Sequence, residues 1–307
     1  MAEFSIIDQY FKRASKSDVS LGIGDDSAIV TPAPSQQLVI CTDTLVAGRH
    51  FPLDTTAHAI GWKSVAVNLS DLAAMGAKPH SILLALSLPQ IDHAWLKEFS
   101  RGLYDCCDQF GVRLIGGDTT QSPHLTLSVT ALGWIPNGLA VKRSGAQVGD
   151  LICVSGTVGD AAFALQHIGH PLQQRLDYPT PRCELGVQLK NLAHSMIDVS
   201  DGISSEIMHL CKQSKVGCNL YEDKLPIDPQ FINVCEEFNI DSTTVAINGG
   251  EDYELLFTIA MEDFEKIKGN PNFTIIGHMT QESEGIHLVT RANTKIALKA
   301  RGWDALT

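Results

Sequence analysis

Two kinds of apolar pattern are interleaved along the whole chain and restrict it to a mixed fold. Residues 57–77 and 93–110 have the apolar spacing of helices, whereas "QLVICT", "SILLALSL", "VRLIGG" and "LTLSVTALGWI" are short runs typical of strands. The second half continues the mixture, with strand patterns in "DLICVSG", "SMIDVS", "ELLFTIA", "FTIIGH" and "GIHLV". Because this order is less regular than a repeated βαβ unit, we predict an α+β architecture rather than a Rossmann fold.

The length of the chain predicts two domains. A chain of 307 residues is longer than one ordinary hydrophobic core accommodates. The stretch "PNGLAVKRSGAQVGD" is rich in turns and lacks long apolar runs. We therefore place the boundary there and predict an N-terminal domain of residues 1–136 and a C-terminal domain of residues 137–307.

The charge of the chain limits its partners. A formal net charge of −12 disfavours nucleic acids and anionic membranes, and an anionic substrate would need cations beside it. The stretch "MAEFSIIDQYFKRASK" lacks the apolar core of a secretory signal, and no run approaches the roughly 20 apolar residues of a spanning helix. The eight cysteines include no C-x-x-C pair. We expect a cytoplasmic protein with reduced thiols and no zinc site.

An aspartate beside Gly, Ser or Thr recurs after strand-like runs, in "GIGDDS", "CTDT", "LIGGDTT", "IDVSDG" and "INGGEDYE". Taken singly, each is more typical of a helix cap or a turn, but five together favour a shared ligand. Asp71 is a sixth acid, inside the small and apolar "NLSDLAAMGA". With Asn68 it could form a polar helix surface; if it is buried, it needs a compensating partner.

Grouped carboxylates require cations. Two acids about 4 Å apart repel by about 4 kcal/mol at an effective dielectric constant of 20. Oxygen ligands without His or Cys favour Mg²⁺, which bridges carboxylates to substrate phosphates. We therefore predict several Mg²⁺ ions and a phosphorylated substrate. The sequence has no G-x-x-x-x-G-K-[ST] loop, no H-R-D with D-F-G and no complete G-x-G-x-x-G motif, which excludes the common kinase folds.

Seven motifs follow one another along the chain: "GIGDDSA", "CTDTLVAGRHF", "KSVAVNLSDLAAMGAKP", "LIGGDTT", "RSGAQVGD", "IDVSDG" and "NGGEDYELLF". This ordered set resembles the thiamine-monophosphate kinase family, in the aminoimidazole ribonucleotide synthetase superfamily. The resemblance implies the two-domain fold of that superfamily, with the active site in the cleft between the domains. It also implies a homodimer whose N-terminal domains pair their sheets, and ATP-dependent phosphorylation of thiamine phosphate to thiamine diphosphate.

The resemblance also implies site residues by position. The implied Mg²⁺ ligands are Asp26, Thr42, Asp43, Asp71, Asp118, Asp198 and Asp201. The implied ATP contacts are Gly117, Asp118, Arg143, Ser200 and Tyr104, and the implied thiamine phosphate contacts are His50, Glu251 and Trp303. Cys41 stands where the family often has a serine, and because a neutral thiol is a poor Mg²⁺ ligand we expect a backbone carbonyl or a water there.

Ordinary roles remain open for three of these residues. Arg143 is equally typical of a surface charge, His50 of a hydrogen-bonded polar residue and Trp303 of packing. The functional alternative for Trp303 is stacking on the cationic thiazolium or the aminopyrimidine ring, with which Glu251 could pair.

The expected chemistry is direct in-line attack by a phosphate oxygen of thiamine phosphate on the γ-phosphorus of ATP. The acceptor is already ionised, so no general base is predicted, and the metals and Arg143 reduce the repulsion between the two anions. Selenophosphate synthetase is disfavoured because no Cys-Lys pair stands near the N-terminus, and the hydrogenase-maturation dehydratase because the chain ends "RGWDALT". The cyclo-ligase and a non-catalytic nucleotide- or metal-binding protein remain alternatives; "NLSDLAAMGA" followed by "GGEDYELLF" fits the kinase better than the first.

Overall fold

The computed structural model describes residues 5–13, 19–23 and 27–300. The chain divides into two compact units. The N-terminal unit comprises Met1–Leu72 and Ala77–Gly138, and the C-terminal unit comprises Ala73–Gly76 and Leu139–Thr307. Among the described residues, no helix has the length and apolar character needed to cross a membrane.

The first 138 residues build a four-stranded sheet with two long helices. The elements are a π-helical turn (Ile7–Phe11), β1 (Val19–Leu21), β2 (Ile29–Val30), β3 (Gln36–Val46), α1 (Ala57–Ala74), β4 (Lys78–Leu88), α2 (His93–Gln109), β5 (Arg113–Gln121) and β6 (Thr126–Pro136). The sheet order is β3-β6-β4-β5, in which only β4 and β5 are parallel, and β1 and β2 form a separate antiparallel pair. β3 and β5 are therefore the edges of the sheet in the described part of the chain.

The two long helices differ in the way they are buried. α1 is rich in small residues and is buried nearly all round, which is typical of an internal helix. α2 is amphipathic and buries Leu96, Phe99 and Leu103, a spacing that faces one side. Its N-terminus is capped by Asp92, whose carboxylate accepts the N–H groups of Ala94 and Trp95 at 2.9 and 3.1 Å. Both helices lie where the apolar patterns predicted them.

The remaining residues build a seven-stranded sheet of order β13-β12-β9-β11-β7-β10-β8. The strands are β7 (Leu151–Ser155), β8 (Ala193–Asp198), β9 (Val216–Tyr221), β10 (Leu255–Ile259), β11 (Phe273–Gln281), β12 (Ile286–Val289) and β13 (Lys295–Ala297). The α-helices are α3 (Asp160–Gln166), α4 (Gln173–Asp177), α5 (Cys183–Leu189), α6 (Ile203–Ser214), α7 (Pro229–Glu237), α8 (Ser242–Asn248) and α9 (Phe264–Ile267). β7 and β10 are buried along their whole length.

The core of the C-terminal unit fixes α6 in place. Ile203, Ile207 and Leu210 of this helix are fully buried in one cluster with side chains of β7, β8 and β9. Each such side chain contributes about 1.5–3 kcal/mol by its removal from water. The helix that follows the "IDVSDG" motif is thus rigidly packed along its length.

Candidate active site

Asn68 connects the predicted acid of β3 to helix α1. The Asp43 N–H donates to Asn68 Oδ1 at 3.0 Å, and the Cys41 thiol donates to the Asn68 carbonyl at 3.3 Å. The amide Nδ2 of Asn68 donates to the carbonyl of Ser64 at 3.0 Å. Asn68 is 1% exposed, so the alternative prediction that it lies on a polar helix surface is wrong. Sequence analysis did not assign it to the site, although an amide inside an apolar helix was the signal.

Negative charge accumulates around Cys41. Burial raises the pKa of the Cys41 thiol well above its usual range, and the neighbouring carboxylates of Asp71 and Asp43 raise it further. Burial also raises the pKa of the Asp43 carboxyl, which the charge of His50 partly offsets. The thiol therefore stays protonated at neutral pH and is a poor ligand for a hard cation. The two carboxylates beside this half-buried thiol are oxygen donors of the kind that a divalent, oxygen-preferring ion takes, although with the thiol they do not form a complete metal site among the described residues.

His50 is folded back onto β3 by the turn that ends the strand. Its backbone N–H donates to the Val46 carbonyl at 3.0 Å, and the Val46 N–H donates to His50 Nδ1 at 3.1 Å. This hydrogen bond fixes the orientation of the ring, which lies near enough to lower the pKa of Asp43. The structure thus places the predicted substrate contact His50 beside the predicted metal ligand Asp43.

The Thr42 hydroxyl lies on the other face of β3. It donates to the Val129 carbonyl at 3.1 Å and accepts from the Thr130 hydroxyl at 3.1 Å. Successive side chains of a strand point to opposite faces. The structure therefore does not bring the Thr42 hydroxyl together with the Asp43 carboxylate.

Asp118 follows Gly117, a position that only glycine can occupy. Gly117 has a φ of +150°, and a Cβ on it would lie 1.9 Å from the Leu84 carbonyl oxygen. This close approach of β5 to β4 leaves Asp118 exposed on an edge strand. In the sheet register Asp118 shares a face with Thr44, so it lies on the face opposite to Asp43. β3 and β5 are three strand spacings apart, or about 14 Å.

Tyr104 is buried by the start of the chain. Its hydroxyl donates to the Phe11 carbonyl, and the guanidinium carbon of Arg13 lies 3.4 Å from the ring centroid. Burial raises the pKa of Tyr104 well above its usual range. This predicted ATP contact is therefore enclosed by Phe11 and Arg13.

In the C-terminal unit, two predicted site segments are hydrogen-bonded to each other. The turn after Asp198 runs beside the residues that precede β10. The Glu251 N–H donates to the Ser200 carbonyl at 2.8 Å, and the Tyr253 N–H donates to the Val199 carbonyl at 2.9 Å. Glu251 has a φ of +70°, an uncommon conformation for a residue other than glycine. Such strain is concentrated at ligand-binding positions.

Gly202 makes this approach possible. Its φ is +103°, and a Cβ on it would lie 2.8 Å from the Asn248 carbonyl carbon. Glycine therefore allows the predicted metal ligand Asp201 to lie against the segment that leads to Glu251. Asp198, at the end of β8, is 4% exposed.

Arg143 lies in a loop bound by the last residue of α6. The Gly145 and Ala146 N–H groups both donate to the Ser214 hydroxyl oxygen at 3.1 Å, and that hydroxyl contacts the Arg143 carbonyl at 3.5 Å. The charge of Arg143 lowers the pKa of Glu206, the acid in the first part of α6. The charge of Arg143 thus acts on the acid that accepts hydrogen bonds from the Ser200–Asp201 turn.

Two acids of "GGEDYEL" that sequence analysis left unassigned are structural. Glu254 is fully buried and accepts hydrogen bonds from Arg182, Arg175 and the Ser155 hydroxyl. Asp252 accepts the Gly159 N–H at 3.0 and 3.1 Å. Burial raises the pKa of Asp252 well above its usual range. These contacts fix the segment on which Glu251 lies.

The predicted ligands are divided between the units. Thr42, Asp43, Asp71 and Asp118 lie in the N-terminal unit, and Asp198 and Asp201 lie in the C-terminal unit. Asp26 and Trp303 fall outside the described residues. Within residues 5–13, 19–23 and 27–300, no three His, Cys, Asp or Glu side chains form a group that could bind a metal ion.

A cavity of about 350 Å³ opens in the C-terminal unit beside α8 and β13. Asn248, Lys299, Glu222 and Asp241 are among its lining residues. Asn248 stands three residues before Glu251 in the sequence, and Lys299 stands four residues before Trp303.

Comparisons with known proteins give a consistent result. Residues 24–135 match the family model for the AIR synthase related protein, N-terminal domain. The chain is 42% identical to the thiamine-monophosphate kinase of Escherichia coli K12, over 98% of this chain and 97% of that protein. The crystal structure of thiamine-monophosphate kinase from Stenotrophomonas maltophilia K279a is 41% identical and superposes with a TM-score of 0.83, covering 89% of this chain and 92% of that one. AaThiL complexed with AMPPCP and TMP is 30% identical, with a TM-score of 0.80 and coverage of 89% and 88%.

Proposed function

The chain belongs to the thiamine-monophosphate kinase family, and we propose that it transfers the γ-phosphoryl group of ATP to thiamine phosphate, forming thiamine diphosphate in the biosynthesis of that cofactor. The observation that carries this proposal is the 2.8 Å hydrogen bond between Glu251 and Ser200. It joins a residue assigned to the acceptor with one assigned to ATP. The two substrates of a direct transfer must meet, and this contact brings their proposed binding residues together.

We propose that Asp43 and Asp71 hold Mg²⁺ in the N-terminal unit, with Asp26 and Asp118, and that Asp198 and Asp201 do so in the C-terminal unit. The half-buried Asp43 carboxyl and the nearness of Asp43 and Asp71 to the same thiol, that of Cys41, support this, because carboxylate oxygens held close together are the ligands that Mg²⁺ prefers. Mg²⁺, when bound, offsets the repulsion between the phosphates of the two substrates. Arg143 contributes a positive charge that opposes the repulsion between the phosphates, and no side chain is needed as a general base.

The thiamine moiety is proposed to bind at the Glu251 end of the C-terminal unit. The cavity beside α8 supports this, because its lining residues lead in sequence to both Glu251 and Trp303. Glu222 and Asp241 are among its lining residues, and their negative charge is compatible with a cationic ring system such as the thiazolium. His50 is proposed to contact the phosphate of the same substrate.

The protein is proposed to act as a homodimer that pairs the sheets of its N-terminal units. β3 and β5 are long edge strands, and unpaired edges of this kind readily pair with another chain. Ile40 and Leu38 on β3 are 59% and 41% exposed. Pairing β3 with β5 of a second copy would place the strand that carries Asp118 in one chain next to the strand that carries Asp43 in the other, whereas in one sheet these strands lie about 14 Å apart.

The formal charge of −12 supports a cytoplasmic protein without nucleic acid or membrane partners.

The test of the activity is to incubate the protein with ATP, Mg²⁺ and thiamine phosphate and to separate the thiamine compounds by chromatography. We expect thiamine diphosphate to accumulate with equimolar ADP. Absence of this product, with ATP-dependent cyclisation of an aminoimidazole precursor instead, would show that the chain is a cyclo-ligase.

A further inference from the structure

Glu206 is a buried acid of α6 that lies beneath the predicted nucleotide-binding turn. The residue is 3% exposed. Its Oε1 accepts the Asp201 N–H at 3.1 Å and the Ser200 hydroxyl at 3.4 Å. One carboxylate oxygen therefore contacts both residues to which the proposed function assigns ATP and Mg²⁺ in this turn.

This arrangement differs from an ordinary helix cap. In a capping box, the acid at the third helical position returns to the N–H of the capping residue. The capping residue of α6 is Gly202, and Glu206 is the fourth residue of the helix. Its carboxylate reaches past Gly202 to the two preceding residues. Glu206 thus fixes a segment outside the helix, and not the helix terminus itself.

The position of Glu206 is unfavourable for a charge. The residue is 3% exposed, and the negative charges of Asp198 and Asp201 act on it. A buried apolar side chain would avoid this penalty. The acceptor oxygen is what an apolar side chain at this position would lack.

The other end of α6 supports the same interpretation. Ser214, the last residue of this helix, accepts two N–H groups from the Arg143 loop. The body of the helix is fixed in the core by Ile203, Ile207 and Leu210. A single rigid helix therefore positions the Ser200–Asp201 turn through Glu206 and the Arg143 loop through Ser214.

We propose that Glu206 is a positioning residue for the nucleotide, which holds the Ser200–Asp201 turn in its binding conformation through an acceptor oxygen of the correct reach. The inference rests on the proposed assignment of Ser200 and Asp201. It adds a residue that touches neither substrate and acts through the two that do.

Three substitutions separate the effect of the length of the Glu206 side chain from the effect of its charge. Glu206→Gln keeps the length and the Oε1 acceptor but removes the charge. Glu206→Asp keeps the charge but is one methylene shorter, and Glu206→Ala removes both. Ser204→Ala is the matched control, because Ser204 is fully buried in the same helix and its hydroxyl makes no hydrogen bond among the described residues.

The measurement is calorimetric binding of AMPPCP with Mg²⁺, with the KM for ATP and for thiamine phosphate as a second readout. We expect Glu206→Gln and Ser204→Ala to bind within about threefold of wild type. Glu206→Asp and Glu206→Ala should weaken AMPPCP binding by roughly tenfold, since two hydrogen bonds to the turn are lost. The KM for ATP should rise in parallel, with a smaller change in the KM for thiamine phosphate.

Two outcomes would overturn the proposal. Binding by Glu206→Asp at the wild-type level, with weak binding by Glu206→Gln, would show that the charge acts and not the reach. Wild-type binding by all the folded variants would show that Glu206 serves only the fold. If Glu206→Ala does not fold, the Asp and Gln variants alone decide. Failure of the wild-type protein to bind AMPPCP would refute the proposed function itself, and this result is distinct from a loss of binding in the variants alone.

Discussion

Asn68 shows how one buried amide sets the position of an acid on a neighbouring element. Its side chain accepts from the Asp43 N–H and donates within its own helix, so the end of β3 and the middle of α1 are connected through one residue. An amide can do this because it carries a donor and an acceptor. The orientation of Asp43 therefore depends on α1 as much as on β3.

Replacing Asn68 by Ala should impair both stability and catalysis. The Asp43 N–H loses its acceptor, which destabilises a protein by about 1–3 kcal/mol when the donor is buried. Ser64→Ala is the matched control, because the Ser64 hydroxyl is buried in the same helix and donates only to the Gly61 carbonyl at 2.8 Å. We expect both variants to lower the unfolding midpoint but only Asn68→Ala to reduce kcat at least tenfold. Equal kcat values in the two variants would disprove a role for Asn68 in the site.

Asp71 gives a second test at the scale of the residue. Asp71→Asn keeps the shape of the side chain and removes the charge that is proposed to hold Mg²⁺. Turnover should fall below one-hundredth of the wild-type rate, roughly the loss of a few kcal/mol of transition-state stabilisation. The circular dichroism spectrum and the unfolding midpoint should stay close to wild type. Near-normal turnover would remove Asp71 from the ligand set.

At the scale of the element, the segment before β10 is held by buried charges that have no direct part in the chemistry. Asp252 binds the Gly159 N–H, and Glu254 pairs with Arg182 and Arg175. Asp160, at the start of α3, also has a pKa raised by burial. These acids therefore fix the segment that carries Glu251 to the rest of the C-terminal unit.

This arrangement predicts a specific pH dependence of stability. Burial raises the pKa of Asp252 above its unfolded value, so between the two values the folded protein keeps a proton that the unfolded chain releases. Stability from this group is therefore greatest below about pH 4 and falls as pH rises, by up to about 1.4 kcal/mol per pH unit. Asp252→Asn does not titrate. Urea unfolding from pH 4 to 8 should show the wild type losing stability relative to this variant, and a pH-independent difference would contradict the account.

The predictability of the elements followed their local patterns. The apolar runs of β4, β6, β7 and β10 and the helical spacing of α1 and α2 were sufficient to predict these elements. β9, in "VGCNLY", was not predicted because Gly and Asn interrupt a run of six residues, and β13 was not predicted because it has only three residues.

For the site, the sequence showed the residue types of the acids but not their spatial relation. The placement of Asp43 and Asp118 at opposite sheet edges follows from the strand order, which no local pattern encodes.

At the scale of the whole molecule, the proposed pairing of β3 with β5 of a second chain predicts that both chains contribute residues to each site. A heterodimer of one Asp43→Asn chain and one Asp118→Asn chain, isolated with two different affinity tags, would contain one site with both defects and one intact site. Both mutant homodimers should be inactive, whereas the heterodimer should recover about half of the wild-type rate. A heterodimer as inactive as its parents would place both acids in a single-chain site.

The central claim is that the γ-phosphoryl group of ATP passes intact to the phosphate of thiamine phosphate. ATP labelled with ¹⁸O in the non-bridging oxygens of its γ-phosphate tests this most directly, with unlabelled thiamine phosphate, Mg²⁺ and the wild-type protein. Mass spectrometry should find the entire label in the terminal phosphate of thiamine diphosphate, with one ADP formed for each product molecule. Label appearing in inorganic phosphate, with no labelled thiamine diphosphate, would contradict the claim.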